Sequence, residues 1–195
     1  MSTLKVLFAV FLSLLFISCQ EDEDEAWPQL LLNSDIEEGT NWPAEWVINE
    51  VEGEALEFIW TEEEALSGSK SLQIYKDNDE NAEEEVWGFW AQVYEGDIPH
   101  GKDVELSAMI KGNEIEGQGV AIVMRADREG LSPEDGQFVT TQGNTDIKGT
   151  FDWTNYSIVL NDLEPDVHTI FIFLLYTGGT TGEVYFDDVT LSVVE

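Results

Sequence analysis

The segment Val86–Tyr94, with the sequence VWGFWAQVY, combines several aromatic side chains with one amide side chain along a predicted strand. Successive side chains of a strand point to opposite faces, so Trp90, Gln92 and Tyr94 share one face and Trp87 lies on the other. Aromatic rings offer flat apolar surfaces, and amide or hydroxyl groups beside them can bind the hydroxyls of a sugar. We therefore predict ligand contacts from these four residues. Core packing is the alternative for both tryptophans.

Arg125 and Asp127 lie on one face of a later predicted strand, in the sequence VAIVMRAD. An arginine among apolar residues of an acidic chain has two possible roles. It clamps a ligand, or it forms a buried ion pair with Asp127 or with a glutamate. We include both residues in the predicted ligand site, and both roles stay open.

Catalytic patterns are absent from the sequence. The chain has 41 acidic residues, so a close pair of carboxylates would arise by chance and does not indicate a glycosidase. The two histidines, His100 and His168, are far apart and belong to no zinc-binding pattern, and no G-x-S-x-G nucleophile motif is present. We therefore predict a protein that is not an enzyme.

The chain of 195 residues carries 41 acidic against 8 basic residues, a formal net charge of −33. Such a charge excludes nucleic acid as a default partner and electrostatic docking on an anionic membrane. Hydrophobic residues make up 43% of the chain, which indicates a packed core and not an acidic tail. The charge also favours a neutral glycan over an acidic one.

The N-terminus indicates export. Val6–Ser18 is apolar and too short to cross a bilayer as a helix, as expected of a signal peptide. The residues before Cys19, the only cysteine, resemble the processing site of bacterial lipoproteins, which implies lipidation of Cys19. The acidic run 20–25 resembles the tether of surface lipoproteins of Bacteroidetes. We predict a signal peptide (1–18), a lipidated tether (19–27) and one domain (28–195), anchored in the outer membrane at the cell surface. An ordinary signal peptide with a chance cysteine is the alternative.

From residue 28 onward, short runs rich in β-branched and aromatic residues alternate with turn residues, the pattern of an all-β protein. We predict a jelly-roll β-sandwich of two antiparallel sheets. The predicted strands are Leu30–Ile36, Ala55–Thr61, Ser71–Lys76, Val86–Tyr94, Asp103–Lys111, Gly119–Ala126, Gln137–Thr141, Trp153–Leu160, Thr169–Tyr176 and Glu183–Val193. Glu62–Leu66 suits one helical turn. The apolar run Thr169–Tyr176, TIFIFLLY, predicts a central strand covered on both faces.

A series of short motifs resembles jelly-roll carbohydrate-binding modules of the galactose-binding-like fold. The motifs follow the order of that family and cover nearly all of the domain. They are NSDIEEG (Asn33–Gly39), LSGSKSL (Leu66–Leu72), LSAMIKG (Leu106–Gly112), WTNY (Trp153–Tyr156) and VYFDDVTL (Val184–Leu191).

The resemblance implies a structural calcium ion that ties the opening strand to the closing strand. The matching positions are Glu37 and Asp187, with Asp35 and Asp188 in reserve, and carbonyl groups near Ser69 could contribute. In a chain of this charge, solvated carboxylates are the alternative. The resemblance also implies that the Val86–Tyr94 strand faces the concave, ligand-binding side of the sandwich.

Two functions fit these observations. The first is a non-catalytic carbohydrate-binding lipoprotein of the cell envelope, which binds a neutral glycan on a concave aromatic face. The alternative is an accessory or structural lipoprotein with the same sandwich and no sugar site, whose partner is an envelope protein. Trp90 exposed beside Gln92 and Arg125 in a groove would favour the first, and a filled face would favour the second.

Overall fold

A computed structural model describes residues 27–49, 56–76 and 86–194. The predicted signal peptide, the lipidation site at Cys19 and the tether up to residue 26 lie outside these residues. Within them, the one helical segment is the 3₁₀ turn Pro133–Asp135. No helix in the part of the chain that the structure describes is long and apolar enough to cross a membrane.

In the described part of the chain, ten strands form two five-stranded antiparallel sheets, which confirms the all-β sandwich. The strands are β1 (Val47–Ile48), β2 (Glu57–Thr61), β3 (Ser71–Lys76), β4 (Gly88–Tyr94), β5 (Asp103–Glu116), β6 (Val120–Arg128), β7 (Gln137–Thr140), β8 (Gly149–Leu160), β9 (Val167–Tyr176) and β10 (Thr181–Val194). The first sheet has the order β1-β4-β9-β6-β7 and the second has the order β2-β3-β10-β5-β8. This arrangement is consistent with a jelly roll.

The core lies between the two sheets and follows the period-two pattern of the strands. In β5 the buried side chains are Val104, Leu106, Ala108 and Ile110, as the alternation of the sequence predicts. In β9 the side chains at even positions from 170 to 176 are fully buried. The odd positions 171, 173 and 175 are only partly covered, so this central strand is apolar on both faces but enclosed on one.

The predicted strand Leu30–Ile36 is wrong, because the segment satisfies its backbone groups in other ways. Leu30 N donates to Leu191 O, and Leu32 N donates to the Gln92 side chain. Asn33 and Ile36 have positive φ angles of 45° and 62°, which end any extended conformation. The segment therefore crosses the sandwich as a series of bends.

Two smaller differences concern the neighbouring segments. Glu62–Leu66 makes bends and no helical turn, because its last residue is held by the Asp187 carboxylate. The short strand β1, which the sequence did not predict, pairs with β4 at the edge of the first sheet.

Candidate functional site

The alternation predicted for β4 is confirmed, but the face that carries Trp90 points into the protein. Trp90 has no exposed surface, and its Nε1 donates to Gln73 O at 3.2 Å. Its ring lies 4.8 Å from that of Trp42, centre to centre, and meets Phe58 edge-on at 5.7 Å. The prediction that Trp90 contacts a ligand is wrong, because the residue fills the core between the sheets.

Gln92 and Tyr94 lie on the same inner face and already have partners. Gln92 accepts a hydrogen bond from Leu32 N at 2.8 Å and donates one to Leu32 O at 2.9 Å. The Tyr94 hydroxyl donates to Asp97 O at 2.8 Å, and desolvation together with the Asp97 carboxylate raises the pKa of Tyr94. These contacts correct the prediction of a ligand-binding row, because the two side chains fix local segments of the chain.

The opposite face of β4 is open and aromatic. Trp87, just before the strand, is 52% exposed, and its ring stacks on Phe89 at a centroid distance of 5.9 Å. Phe89 meets Phe173 edge-on at 4.9 Å, and Phe173 stacks on Phe171 at 6.2 Å with ring planes 4° apart. We call these four residues the aromatic face. It is a continuous row of rings on the outer surface of the first sheet.

Arg125 and Asp127 lie at one end of the aromatic face. Arg125 is paired across the sheet with Phe171 on β9 and with Phe138 on β7, which is 59% exposed. Its guanidinium carbon lies 4.5 Å from the centre of the Phe171 ring and 5.7 Å from that of Phe173. Arg125 and Asp127 therefore lie on one face of β6, as their spacing of two residues implies, and Trp87 belongs to the same outer surface of the sheet.

The arginine forms an ion pair with Asp127, which was one of the two roles that the sequence left open. Its Nε donates to Asp127 Oδ1 at 2.7 Å and its Nη2 donates to Oδ2 at 3.1 Å. The two side chains keep 29% and 15% of their surface exposed. The pair therefore offers donors and acceptors without a net charge beside the rings.

This surface has the elements that hold a sugar ring. Aromatic rings cover the C–H face of a sugar, and the Arg125–Asp127 pair can exchange hydrogen bonds with its hydroxyls. Large exposed apolar patches on folded proteins are common at interaction sites. Ala91 and Val123, which flank Phe173 on the neighbouring strands, are nearly buried.

Sequence reasoning missed Phe89, Phe138, Phe171 and Phe173 as members of this surface. The signal was present in the run TIFIFLLY, where phenylalanines occupy the odd positions. An apolar run of this kind predicts a strand covered on both faces. A period-two pattern shows which side chains share a face, but it does not show which face is enclosed.

The residues predicted to bind calcium lie close to the turn 66–70. Glu37 Oε1 accepts hydrogen bonds from Ser69 N and Lys70 N, both at 2.8 Å, and its Oε2 accepts one from Ser69 Oγ at 2.9 Å. Desolvation raises the pKa of Glu37, but these hydrogen bonds outweigh it, and the pKa lies below its ordinary value.

Asp187 is fully buried and holds the other side of the same turn. Its Oδ2 accepts from Leu66 N at 2.7 Å and from Ser67 N at 3.1 Å, and its Oδ1 accepts from Asp188 N. Desolvation is the largest effect on this carboxyl and raises its pKa.

The reserve candidates do not complete a metal site. Asp188 accepts a hydrogen bond from Ser67 Oγ at 2.7 Å, and Asp35 is exposed to solvent. Within residues 27–49, 56–76 and 86–194, no three His, Cys, Asp or Glu side chains are placed to bind one metal ion. Calcium prefers six to eight oxygen ligands. The residues present do not fit a calcium ion in this arrangement, since N–H groups already face the carboxylates.

No protein-family model matches the sequence, and no curated protein does either. Solved structures are similar in fold. TmCBM61, in complex with beta-1,4-galactotriose, is 17% identical with a TM-score of 0.54, over 86% of this chain and 100% of that one. The CBM22-1 xylan-binding domain of Paenibacillus barcinonensis Xyn10C is 18% identical with a TM-score of 0.53, over 83% of this chain and 92% of that one.

A larger protein contains a similar domain. The enzymatically active domain of bacteriophage CBA120 tailspike protein 4 is 12% identical with a TM-score of 0.60. The match covers 85% of this chain and 21% of the tailspike chain. At these identities the likeness concerns the fold alone. The chain therefore shares the β-sandwich fold of carbohydrate-binding modules of the CBM22 and CBM61 type.

Proposed function

We propose that this chain is a non-catalytic carbohydrate-binding protein that holds a neutral glycan against the aromatic face. One observation carries the proposal: four adjoining aromatic rings lie on an open sheet and end at the Arg125–Asp127 pair. A folded protein rarely exposes such a row without a ligand or partner for it. Each ring offers stacking area, and the pair fixes the orientation of a hydroxyl-bearing ligand.

The similar structures support a glycan as the ligand. One of them is a module solved in complex with beta-1,4-galactotriose, and another is a xylan-binding domain. The fold alone does not identify a ligand, since one fold serves many functions. We therefore infer a binding site in this chain from the aromatic face and not from the fold.

The charge distribution supports a neutral glycan. The net charge of −33 repels polyanions, and Arg125, which lies beside the rings, is paired with Asp127. Arg128, further along β6, donates to Asp166 at 2.8 Å and contacts Glu164 at 2.6 Å. The cations of β6 are therefore neutralised by carboxylates of the chain itself, which leaves no excess positive charge for an acidic polysaccharide.

We propose further that Cys19 anchors the domain to the outer membrane at the cell surface, where it would present a polysaccharide to neighbouring proteins. The proposal rests on the apolar run before Cys19 and on the acidic run after it. Replacing the cysteine in Cys19→Ala should release the protein from the membrane fraction. Unchanged fractionation of the variant would contradict the lipid anchor.

An accessory or structural lipoprotein without a sugar site is the second candidate. The observation that favours it is the filled inner face of β4, where Trp90 is buried and Gln92 is bonded to Leu32. In this case the aromatic face would pack against an envelope protein. The two candidate functions differ in one respect: only the first requires that a polysaccharide binds to the aromatic face without a protein partner.

Affinity electrophoresis of the full-length chain through gels that contain neutral or acidic polysaccharides tests the proposal. The detergent should carry no sugar headgroup. We expect one neutral polysaccharide to retard the chain, and we expect Trp87→Ala to abolish the retardation. Trp153→Ala, on β8 of the other sheet, is the matched control and should migrate as the wild type does. No retardation in any gel would favour the accessory protein.

A further inference from the structure

A pocket lies on the outer face of the second sheet, on the side of the sandwich opposite the aromatic face. Val184 and Phe186 of β10 point into the core, so the alternating residues Glu183 and Tyr185 lie on the outer face. The pocket has a volume of about 520 Å³, within the range of roughly 300–1,000 Å³ that is typical of small-molecule sites. Its position separates it from the aromatic face of the first sheet.

Irregular strand pairing forms this pocket. The pairing of β5 with β8 shifts register on both sides of Gly112, and the pairing of β10 with β5 shifts between Thr181 and Glu183. Such irregularities redirect side chains and are common beside functional sites. A Cβ atom at Gly112 would lie 2.4 Å from the Phe151 ring, so the glycine lets this ring pack at the edge of the pocket.

The polar groups of the pocket are held in place by one another. The Gln73 amide donates to the Tyr185 hydroxyl at 3.2 Å, and this hydroxyl donates to Glu183 Oε2 at 3.1 Å. Asn113 Nδ2 donates to the same oxygen at 3.1 Å. Burial and the Glu183 carboxylate raise the pKa of Tyr185, so its phenol stays protonated and keeps this donor. The network fixes Glu183 in one orientation before any ligand arrives.

The lining of the pocket carries an excess of negative charge. Three carboxylates line it, from Glu64, Asp152 and Glu183, against the single ammonium group of Lys111. Lys111 Nζ donates to Glu64 Oε2 at 2.7 Å. Glu64 and Glu183 use only their Oε2 atoms in the hydrogen bonds described above. The pocket therefore favours a ligand that brings donors and positive charge.

We propose that this pocket binds a cationic, hydroxyl-bearing small molecule of the amino sugar class. The ammonium group of the ligand contacts Glu183 and Glu64, its hydroxyls exchange hydrogen bonds with Asn113 and Asp152, and its apolar face lies against Phe151. This site is independent of the glycan proposed for the aromatic face, because the two lie on opposite sheets.

Saturation-transfer NMR titration of the full-length chain with D-glucosamine, at a pH where its amine is protonated, tests the proposal. D-glucose and N-acetyl-D-glucosamine are the uncharged comparisons. We expect saturable binding of glucosamine, at least fivefold tighter than that of either uncharged sugar. Glu183→Gln should weaken it at least fivefold, because the amide keeps the acceptor for Asn113 and loses the charge. Glu105→Gln, at the far end of β5, is the matched control and should bind as the wild type does.

A variant that binds glucosamine more tightly separates a charge effect from misfolding, because a misfolded variant would lose binding. Lys111→Gln removes the competing cation and should tighten glucosamine binding about twofold to threefold. Trp87→Ala should leave it unchanged, so failure of the aromatic face and failure of this pocket are distinguishable. The proposal is overturned by absent saturation, by equal affinity for glucose, or by Glu183→Gln binding as tightly as the wild type.

Discussion

Arg125 and Asp127 form a two-point ion pair on β6, with Nε–Oδ1 and Nη2–Oδ2 distances of 2.7 and 3.1 Å. The same guanidinium lies 4.5 Å from the centre of the Phe171 ring. The carboxylate thus holds the arginine against the aromatic face and cancels its charge there. Planar, two-point pairs of this kind are a geometry that lysine cannot reproduce.

This relationship predicts a change of specificity in the Asp127→Asn variant. Removing the carboxylate leaves Arg125 as an unbalanced cation beside the rings, so an acidic polysaccharide should begin to retard the chain in affinity electrophoresis. At physiological ionic strength, charges more than about 8 Å away are largely screened, so the local cation outweighs the distant carboxylates. We expect a loss of about 1 kcal/mol in the free energy of unfolding, because the pair is partly exposed.

The control for this change is the double variant Arg125→Gln/Asp127→Asn, which should lose the new retardation by acidic polysaccharide. The double variant has the same net charge as the wild type, so its binding of acidic polysaccharide would show that the new retardation does not come from the Arg125 charge. Identical migration of Asp127→Asn and the wild type in every acidic gel would contradict the role given to the pair.

The buried position of Trp90 gives a second prediction, which separates stability from binding. In Trp90→Phe, the Gln73 carbonyl loses the hydrogen bond from the indole N–H, and such a bond contributes about 0.5–1.5 kcal/mol. The smaller ring also leaves a void beside Trp42 and Phe58. Thermal unfolding should therefore show a lower Tm, whereas retardation by the neutral polysaccharide stays unchanged below that Tm.

Trp87→Ala is the comparison for Trp90→Phe and should give the opposite pattern. Trp87 is 52% exposed, so its loss should leave Tm nearly unchanged and abolish the retardation. A Trp90→Phe protein that remained folded but no longer bound polysaccharide would place the ligand on the inner face of β4, against the structure.

The sequence predicted most of the fold because period-two patterns and turn residues are local signals. Nine of the ten predicted strands overlap strands of the structure, and Ser71–Lys76 has the same bounds in both. The exception, Leu30–Ile36, depends on non-local contacts: the Gln92 side chain, 60 residues away, supplies partners for Leu32. Pattern alone could not show that these backbone groups are satisfied outside a sheet.

The candidate site was predicted less well, for a related physical reason. Alternation divided β4 correctly into two faces, but which face meets the second sheet depends on the packing of the whole sandwich. Trp90 was assigned to the ligand and lies in the core, whereas Phe171 and Phe173 were assigned to a covered strand and lie in the open. Arg125 and Asp127 were placed together because their spacing of two residues is independent of that choice.

The contacts of Glu37 predict a pH dependence of stability. Its pKa in the folded protein lies below its ordinary value of 4.5, so the ionised form is favoured by folding. The stabilisation is therefore present above 4.5 and is lost as the pH falls through the folded-state pKa. The difference in Tm between the wild type and Glu37→Gln should be largest at neutral pH and should shrink in acid.

Asp187→Asn provides the comparison, because desolvation shifts the pKa of Asp187 in the other direction. A raised folded-state pKa gives a contribution that is present below the ordinary value of 3.8 and is lost as the pH rises. The difference in Tm between the wild type and Asp187→Asn should therefore grow as the pH falls. Parallel pH profiles for the two variants would contradict the opposite roles of these carboxyls.

The turn 66–70 finally predicts how the protein responds to loss of calcium. Glu37 Oε1 and Asp187 Oδ2 each accept two N–H hydrogen bonds, so the positive ends of four N–H dipoles occupy the space where a cation would bind. A calcium ion would compete with these donors for the oxygens, and loss of the hydrogen bonds would loosen the turn. The resemblance to carbohydrate-binding modules predicts the ion, and the geometry predicts hydrogen bonds in its place.

We therefore expect EDTA to leave the Tm of the full-length chain unchanged, and added calcium to leave it unchanged as well. The wild type and Glu37→Gln should differ in Tm by the same amount with and without EDTA, because the carboxylate acts on Ser69 and Lys70 directly. A Tm that falls in EDTA, recovers with calcium and responds to neither in Glu37→Gln would instead establish a calcium ion at Glu37. In that case the two carboxylates would hold the turn through the ion, and the hydrogen bonds to residues 66–70 would describe the protein without it.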